Sequence, residues 1–377
     1  MLTKGATACA PLPPATTPRR FGSIDGHIIF VCLLCFMPLT TSAQNVGLVT
    51  DAQNDLAVVF DTSGAERGTV DMPGAGSLGD CVISVENNVA FAADFASQIW
   101  VVDLSDPPQL ATGSNPIAIS NTGWDIALSP GGDYLAICGD PGLVSLVDSS
   151  TRVEIDTFDL GHGCNGIDIC VDGSVLISYA DLFTNTFAIR RLLLSETGEF
   201  SDTGDSVSLE AYNVECNPAG PTALLTGYVQ VLSMQLNGLS VLDSISVAPG
   251  NPITCRMNAA GSRVFIRTTS DVLTYVVDPN TGVFGTTPVA TIPGTGNNYF
   301  GGIDTLSHDQ NGSQFLVPEL TGSLRFFNAD TGTESPPIDH PGAQFRGVCL
   351  PPVFMVFRDG FESGDATRWD AGSSQRF

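Results

Sequence analysis

A chain of 377 residues that is 43% hydrophobic and only 15% charged, against roughly 25% charged in an average globular protein, has ample material for a large core. Its 40 glycines and 24 prolines mark a turn-rich chain, but without the period of collagen or the polarity of a disordered chain. A formal net charge of −25 excludes a nucleic-acid binder that relies on a basic footprint.

The N-terminus reads as a targeting segment. Lys4, Arg19 and Arg20 precede the apolar run Ile28–Met37, Pro38 breaks that run, and Thr41 and Ala43 place small residues ahead of Gln44. This is the pattern of a secretory signal peptide over residues 1–43, too short in its apolar part to span a ~30 Å hydrocarbon core. Lys4 is the chain's only lysine, so the chain from residue 44 onward holds no lysine, and of its histidines only His162, His308 and His340. Lysine Schiff-base chemistry is thereby excluded. Seven cysteines follow the segment, namely Cys81, Cys138, Cys164, Cys170, Cys216, Cys255 and Cys349. An odd number leaves at least one unpaired within the chain, and export would favour disulfides among the others. Cys138, Cys164, Cys170, Cys216 and Cys255 are the candidates for a bridge, with the pairing open.

From residue 44 onward one phrase recurs: a short apolar strand, a tight polar turn, and a second apolar strand. The turn residues Asn88, Gly132, Gly173, Gly220, Gly261 and Gly312 lie 44, 41, 47, 41 and 51 residues apart. Glycine and asparagine suit such turns because hairpins need positive φ there. A second phrase follows each hairpin, an apolar strand closed by Asp and a Thr/Ser/Gly/Pro turn, at Asp61, Asp103, Asp148, Asp278 and Asp330. Asp closes the strand by accepting hydrogen bonds from the turn backbone. "RRLLLSETG" (Arg190–Gly198) is a variant of this phrase, and "VQVLSMQLNG" reads as a degenerate one. With a weaker fourth strand after each, four strands per 40–50 residues is the arithmetic of a β-propeller blade.

The first unit has the strands "VGLVT", "LAVVFD" and "GTVDM" but lacks an innermost one, while "FRGVCLPPVF" (Phe345–Phe354) is a spare strand at the far end. The predicted fold is an all-β, seven-bladed propeller over residues 44–354, closed by the C-terminal inner strand completing the first blade. Closure of this kind removes exposed edges. A tail, residues 355–377, follows.

The strand-Asp-turn phrase and "CVISVENNVAFAADFASQIWVVDLSDP" resemble the YVTN and LVIVD classes of seven-bladed propeller repeats. The tail, with "DGFESGD", is similar to a short C-terminal motif of exported bacterial proteins. These resemblances imply a fold and a periplasmic, extracellular or cell-surface location, and they imply no chemistry, because propellers host many unrelated roles.

"GAGSLG" (Gly74–Gly79) matches a dinucleotide-binding pattern in form, but Asp80 and a strand follow it where a helix is required. It reads as a loop between blades. "NGS" at Asn311 reads as a turn, and the acidic stretch Glu196–Asp205 as a solvated hairpin.

Asp125, Asp168 and Asp304 stand at equivalent positions at the start of inner strands, with Glu215 close to equivalent. Equivalent inner positions form a ring around the channel, expected at one mouth. Arg256 and Arg346 reach the same zone, and His162 and His340 lie in the loops just before two inner strands. Such a ring suits a cation such as Ca²⁺, a small polar ligand, or hydrolysis. The competing and preferred reading is that the acids cap backbone N–H groups and the arginines offset them. The expected function is a monomeric, exported, non-enzymatic binding or scaffolding module for a protein or small polar ligand. It needs no cofactor other than the Ca²⁺ the ring would admit and has no transmembrane anchor once the N-terminal segment is removed. The alternative is a hydrolase similar to the seven-bladed lactonases, using the channel-mouth face.

Overall fold

The computed structural model describes residues 46–181, 186–247, 250–293, 306–309 and 312–351. The segment 1–43, Asp304, Asn311 and the tail lie outside the described residues. Within them the chain forms seven antiparallel sheets and no helix. Each sheet has four strands in meander order, and a short extra strand, Ile117–Ala118, adds to the second. Among the described residues no helix is long and apolar enough to cross a membrane.

Blade 1 is split as expected. Its inner strand is Phe345–Cys349, which pairs antiparallel with Val46–Asp51, matching Leu48 with Cys349 and Val49 with Val348. The inner strands of blades 2 to 7 are Leu78–Ser84, Asp125–Leu128, Cys164–Ile169, Asn213–Cys216, Pro252–Met257 and Ser307–His308. The ring closes where the blade 1 inner strand lies against that of blade 2. A Cβ built on Gly347 would meet the Asp80 Cα at 2.7 Å, so only glycine permits this approach.

The core lies between blades. One buried cluster joins Val46, Leu48 and Met72 of blade 1 to Leu78, Ile83 and Trp100 of blade 2. Another joins Phe91, Ile99 and Val101 of blade 2 to Ile126, Leu135 and Ile137 of blade 3. Alternate residues of one strand face opposite neighbours, so these strands are apolar on both faces.

The turn chemistry follows the sequence with two exceptions. Five of the six hairpin turn residues have positive φ, from 53° at Asn88 to 80° at Gly173, whereas Gly220 does not. Asp61, Asp103, Asp148 and Asp278 each accept a backbone N–H two residues on, at 2.9 Å. At the fifth site Asn328 takes that role, accepting from the Asp330 and Thr331 amides at 3.0 and 2.8 Å, while Asp330 pairs with Arg263. The phrase that looked degenerate, around Gln230–Gln235, forms a regular third strand.

Three disulfides are present, and each joins neighbouring blades: Cys81–Cys349 across blades 1 and 2, Cys138–Cys164 across 3 and 4, and Cys170–Cys216 across 4 and 5. The sequence expectation of one bridge among five candidates is therefore corrected. That set holds two bridges, Cys255 is a buried free thiol, and the ring-closing pair lies outside it. Burial pushes the Cys255 thiol up to about 12, so it behaves as a small apolar side chain. Three disulfides point to an oxidising, exported environment.

Cys81 and Cys349 are 268 residues apart in sequence, so their bridge constrains nearly the whole propeller in the unfolded state. Cys349→Ser should cost about 2–5 kcal/mol. A urea denaturation curve of the variant beside the oxidised parent checks this. A midpoint unchanged by the substitution would mean that the closing strand holds without its bridge.

Candidate functional site: the acidic channel

The inner strands carry their acidic residues at matching heights. Asp125 accepts hydrogen bonds from its neighbour Ile126 N–H at 2.9 Å and, across the joint to blade 4, from Ile167 N–H at 2.8 Å. Asp168 repeats this, accepting from Ile169 N–H at 2.8 Å and from Cys216 N–H of blade 5 at 2.6 Å. Glu215 accepts from Met257 N–H of blade 6 at 3.2 Å and forms an ion pair with Arg256. Arg256 also donates to the Leu306 carbonyl at 3.4 Å, reaching towards blade 7. Each acid thus holds the backbone of the next blade. Only Asp125 opens its strand; Asp168 and Glu215, expected at strand starts, lie inside Cys164–Ile169 and Asn213–Cys216, and what they share with Asp125 is an N–H of the next blade within reach.

The sequence reading missed Asp80. Its signal was present, since Asp80-Cys-Val-Ile-Ser84 repeats the pattern of Asp125-Ile-Ala-Leu-Ser129. Asp80 is fully buried, and no N–H of the next blade satisfies its carboxylate, the Cys81 N–H of its own strand being the amide beside it. Its near neighbour is the carboxyl group of Asp125, also buried.

Burial dominates the electrostatics. Desolvation pushes Asp80 up to about 6, against the pull of Arg256, and Asp168 to about 7, with Glu215 adding to the rise. Asp125 is raised well above the usual carboxylate range by burial and by the charge of Asp80. Arg256 is held protonated by Glu215, Asp80 and Asp168, which together outweigh its burial.

A cavity of about 150 Å³ lies against this ring. Asp168, Glu215 and Arg256 are its charged wall, and Ser307, His308 and Asn217 add polar groups to an otherwise apolar lining. The lining reaches Val171, Pro218 and Pro351, just past the ends of inner strands, so the cavity lies on the hairpin-turn side of the acids. Asp80 and Asp125 sit behind it. His162 and His340 stand apart: His162 stacks on Tyr179 with ring centroids 5.7 Å apart, and His340 Nε2 lies 3.0 Å from Glu66. Arg346 donates to Ser77 Oγ at 2.7 Å. Among the described residues no three His, Cys, Asp or Glu side chains converge to hold a metal ion. Asp125, Asp168 and Glu215 direct their oxygens to backbone amides and, for Glu215, to Arg256, so these three do not form a Ca²⁺ cage.

No protein-family model matches the chain, and no curated protein is similar to it in sequence. Solved structures share its architecture. A functionally unknown protein from Desulfotomaculum acetoxidans superposes with a TM-score of 0.69 at 16% identity, covering 82% of this chain and 100% of that one. A protein from Lactobacillus plantarum does so at 0.61 and 13%, covering 81% and 98%. The dihydro-heme d1 dehydrogenase NirN reaches 0.54 at 12%, covering 81% and 75%. The chain is a seven-bladed β-propeller. At such identities the likeness is one of fold alone.

Proposed function

We propose that this propeller is an exported, non-enzymatic binding or scaffolding module of the YVTN/LVIVD type, directed outward by residues 1–43, with a protein or small polar ligand as its partner. One observation carries the reading: the ring acids Asp125, Asp168 and Glu215, of which the hydrolase alternative would use Asp168 and Glu215, each hold the backbone of the next blade. A side chain whose oxygens are engaged in this way supports the ring and is not free to reach a substrate proton. The size of the channel cavity supports the same reading. Roughly 150 Å³ holds a benzene-sized group, whereas sites for drug-sized ligands run to about 300–1,000 Å³.

A panel of lactones and esters tests the assignment. The full chain should give no turnover above buffer, and Glu215→Gln should lower the melting temperature while leaving that result unchanged. Hydrolysis that disappears in Glu215→Gln would replace this reading with the lactonase-like one.

A further inference from the structure

The ring is not fastened evenly. Among the described residues, disulfides staple the joints between blades 1 and 2, 3 and 4, and 4 and 5, and none crosses the other four, of which the joint between blades 2 and 3 is the one flanked by staples on both sides. At that unstapled joint Asp80 of blade 2 meets Asp125 of blade 3. Both are buried, and Asp80 has only the Cys81 N–H of its own strand beside its carboxylate, with no amide of the next blade to satisfy it. Two ionised carboxylates in such a place would repel each other strongly, because little solvent lies between them. A carboxylic acid facing a carboxylate instead makes a charge-assisted hydrogen bond.

We propose that Asp80 and Asp125 form a proton-dependent clasp, in which one shared proton holds blades 2 and 3 together and its release to solvent loosens that joint. The surroundings suit a proton better than a metal. Asp125 spends its oxygens on Ile126 and Ile167, and no third ligand completes a cage among the described residues. The other charged groups on the packed elements are accounted for. Arg256 attracts and Glu215 repels Asp80 across the channel, and Asp168 lies on the next inner strand. Asp94, on the adjoining strand of blade 2, accepts from the Gly76, Ser77 and Ala96 amides and from Trp100. From blade 1, Asp51 accepts from the Gln53 and Gln344 amides and Arg346 donates to Ser77.

The direction of the pH effect follows from linkage. Asp80 and Asp125 bind a proton more tightly in the folded chain than at the ordinary value near 3.9, so stability falls as pH rises above about 4. For Asp80 the fall levels off once pH has passed about 6. Asp168 adds a similar fall up to about 7, but its joint to blade 5 is stapled by Cys170–Cys216.

Thermal melting of the full oxidised chain between pH 5 and pH 8 tests the clasp. The melting temperature should drop by about 4–8 °C over this range. Asp80→Asn provides a permanent N–H donor to Asp125 and should abolish at least half of the drop. Hydrogen exchange locates the effect. The Gly123 amide, which donates to the Asp94 carbonyl across the unstapled joint at 3.1 Å, should lose protection at pH 8 relative to pH 5, after correction for intrinsic exchange. The Cys216 amide at the stapled joint should keep it. A wild-type melting temperature that is flat or rises from pH 5 to 8, an Asp80→Asn profile parallel to the wild type, or equal loss at both amides would overturn the proposal. If Asp80→Asn does not fold, the two amides in the wild-type chain decide the matter on their own.

Discussion

Removing residues 346–377 should abolish cooperative folding of the propeller. The cut takes Gly347, Val348 and Cys349 out of the inner strand of blade 1, so Val46–Asp51 becomes an open edge and Cys81 loses its disulfide partner. It also removes buried Val348 and Leu350 from a cluster that includes Val49, Phe60 and Phe326, where blade 1 meets blade 7. A bridge worth about 2–5 kcal/mol and a four-stranded closure are lost together, from a net stability of roughly 5–15 kcal/mol. An edge left open in this way also invites aggregation. Circular dichroism should show no sharp thermal transition for this truncation, whereas a chain ending at residue 356 should melt as the full chain does. A two-state melt within a few degrees of the full chain, given by the shorter protein, would refute closure by the C-terminal strand. Gly347→Val should reproduce much of the loss without any deletion, since its side chain would be driven into Asp80 of blade 2.

Arg256→Ala should be the most damaging single change in the channel, at about 3–5 kcal/mol. Arg256 pairs with Glu215, reaches the Leu306 carbonyl, and offsets the charges of Asp80 and Asp168. Without it Glu215 keeps only the Met257 amide, and a buried carboxylate is left beside other acids. Urea denaturation should show a lower midpoint with an unchanged slope. The deficit should shrink as pH is lowered from 8 towards 5, because protonation of Asp80 and Asp168 removes the negative charge that Arg256 offsets. Arg256→Lys keeps the charge but not the planar fork, so it should recover part of the loss. A deficit below about 1 kcal/mol at pH 8 would show that the ring does not depend on this cation.

Much of the architecture was legible before any coordinates because its determinants are local. Strands that alternate between two buried faces, glycine or asparagine at positive φ, and Asp closing a turn each act within a few residues. Their repetition every 41–51 residues made both the blade and the number of blades readable. The spare strand at Phe345 could be matched to the blade that lacked one, and the structure pairs it there. Asp125, Asp168 and Glu215 could be placed on one ring for the same reason, since equivalent positions in a repeat become equivalent positions around an axis.

What the acids and cysteines do was decided by tertiary structure, because it depends on which side chains meet across a joint. Cys81 and Cys349 become partners only when the ring closes, and Cys255 stays single although it lies on an inner strand as Cys81, Cys164, Cys216 and Cys349 do. His162 and His340 lie near inner strands in sequence but find partners outside the channel, His162 on Tyr179 and His340 on Glu66. Asp80 looked like the end of a glycine-rich loop, yet close approach of the blades buries it opposite Asp125 with no amide of the next blade to satisfy it. Local patterns specify the blade, whereas burial and proximity between blades determine the charge, the bonding and the chemistry of the residues inside the ring.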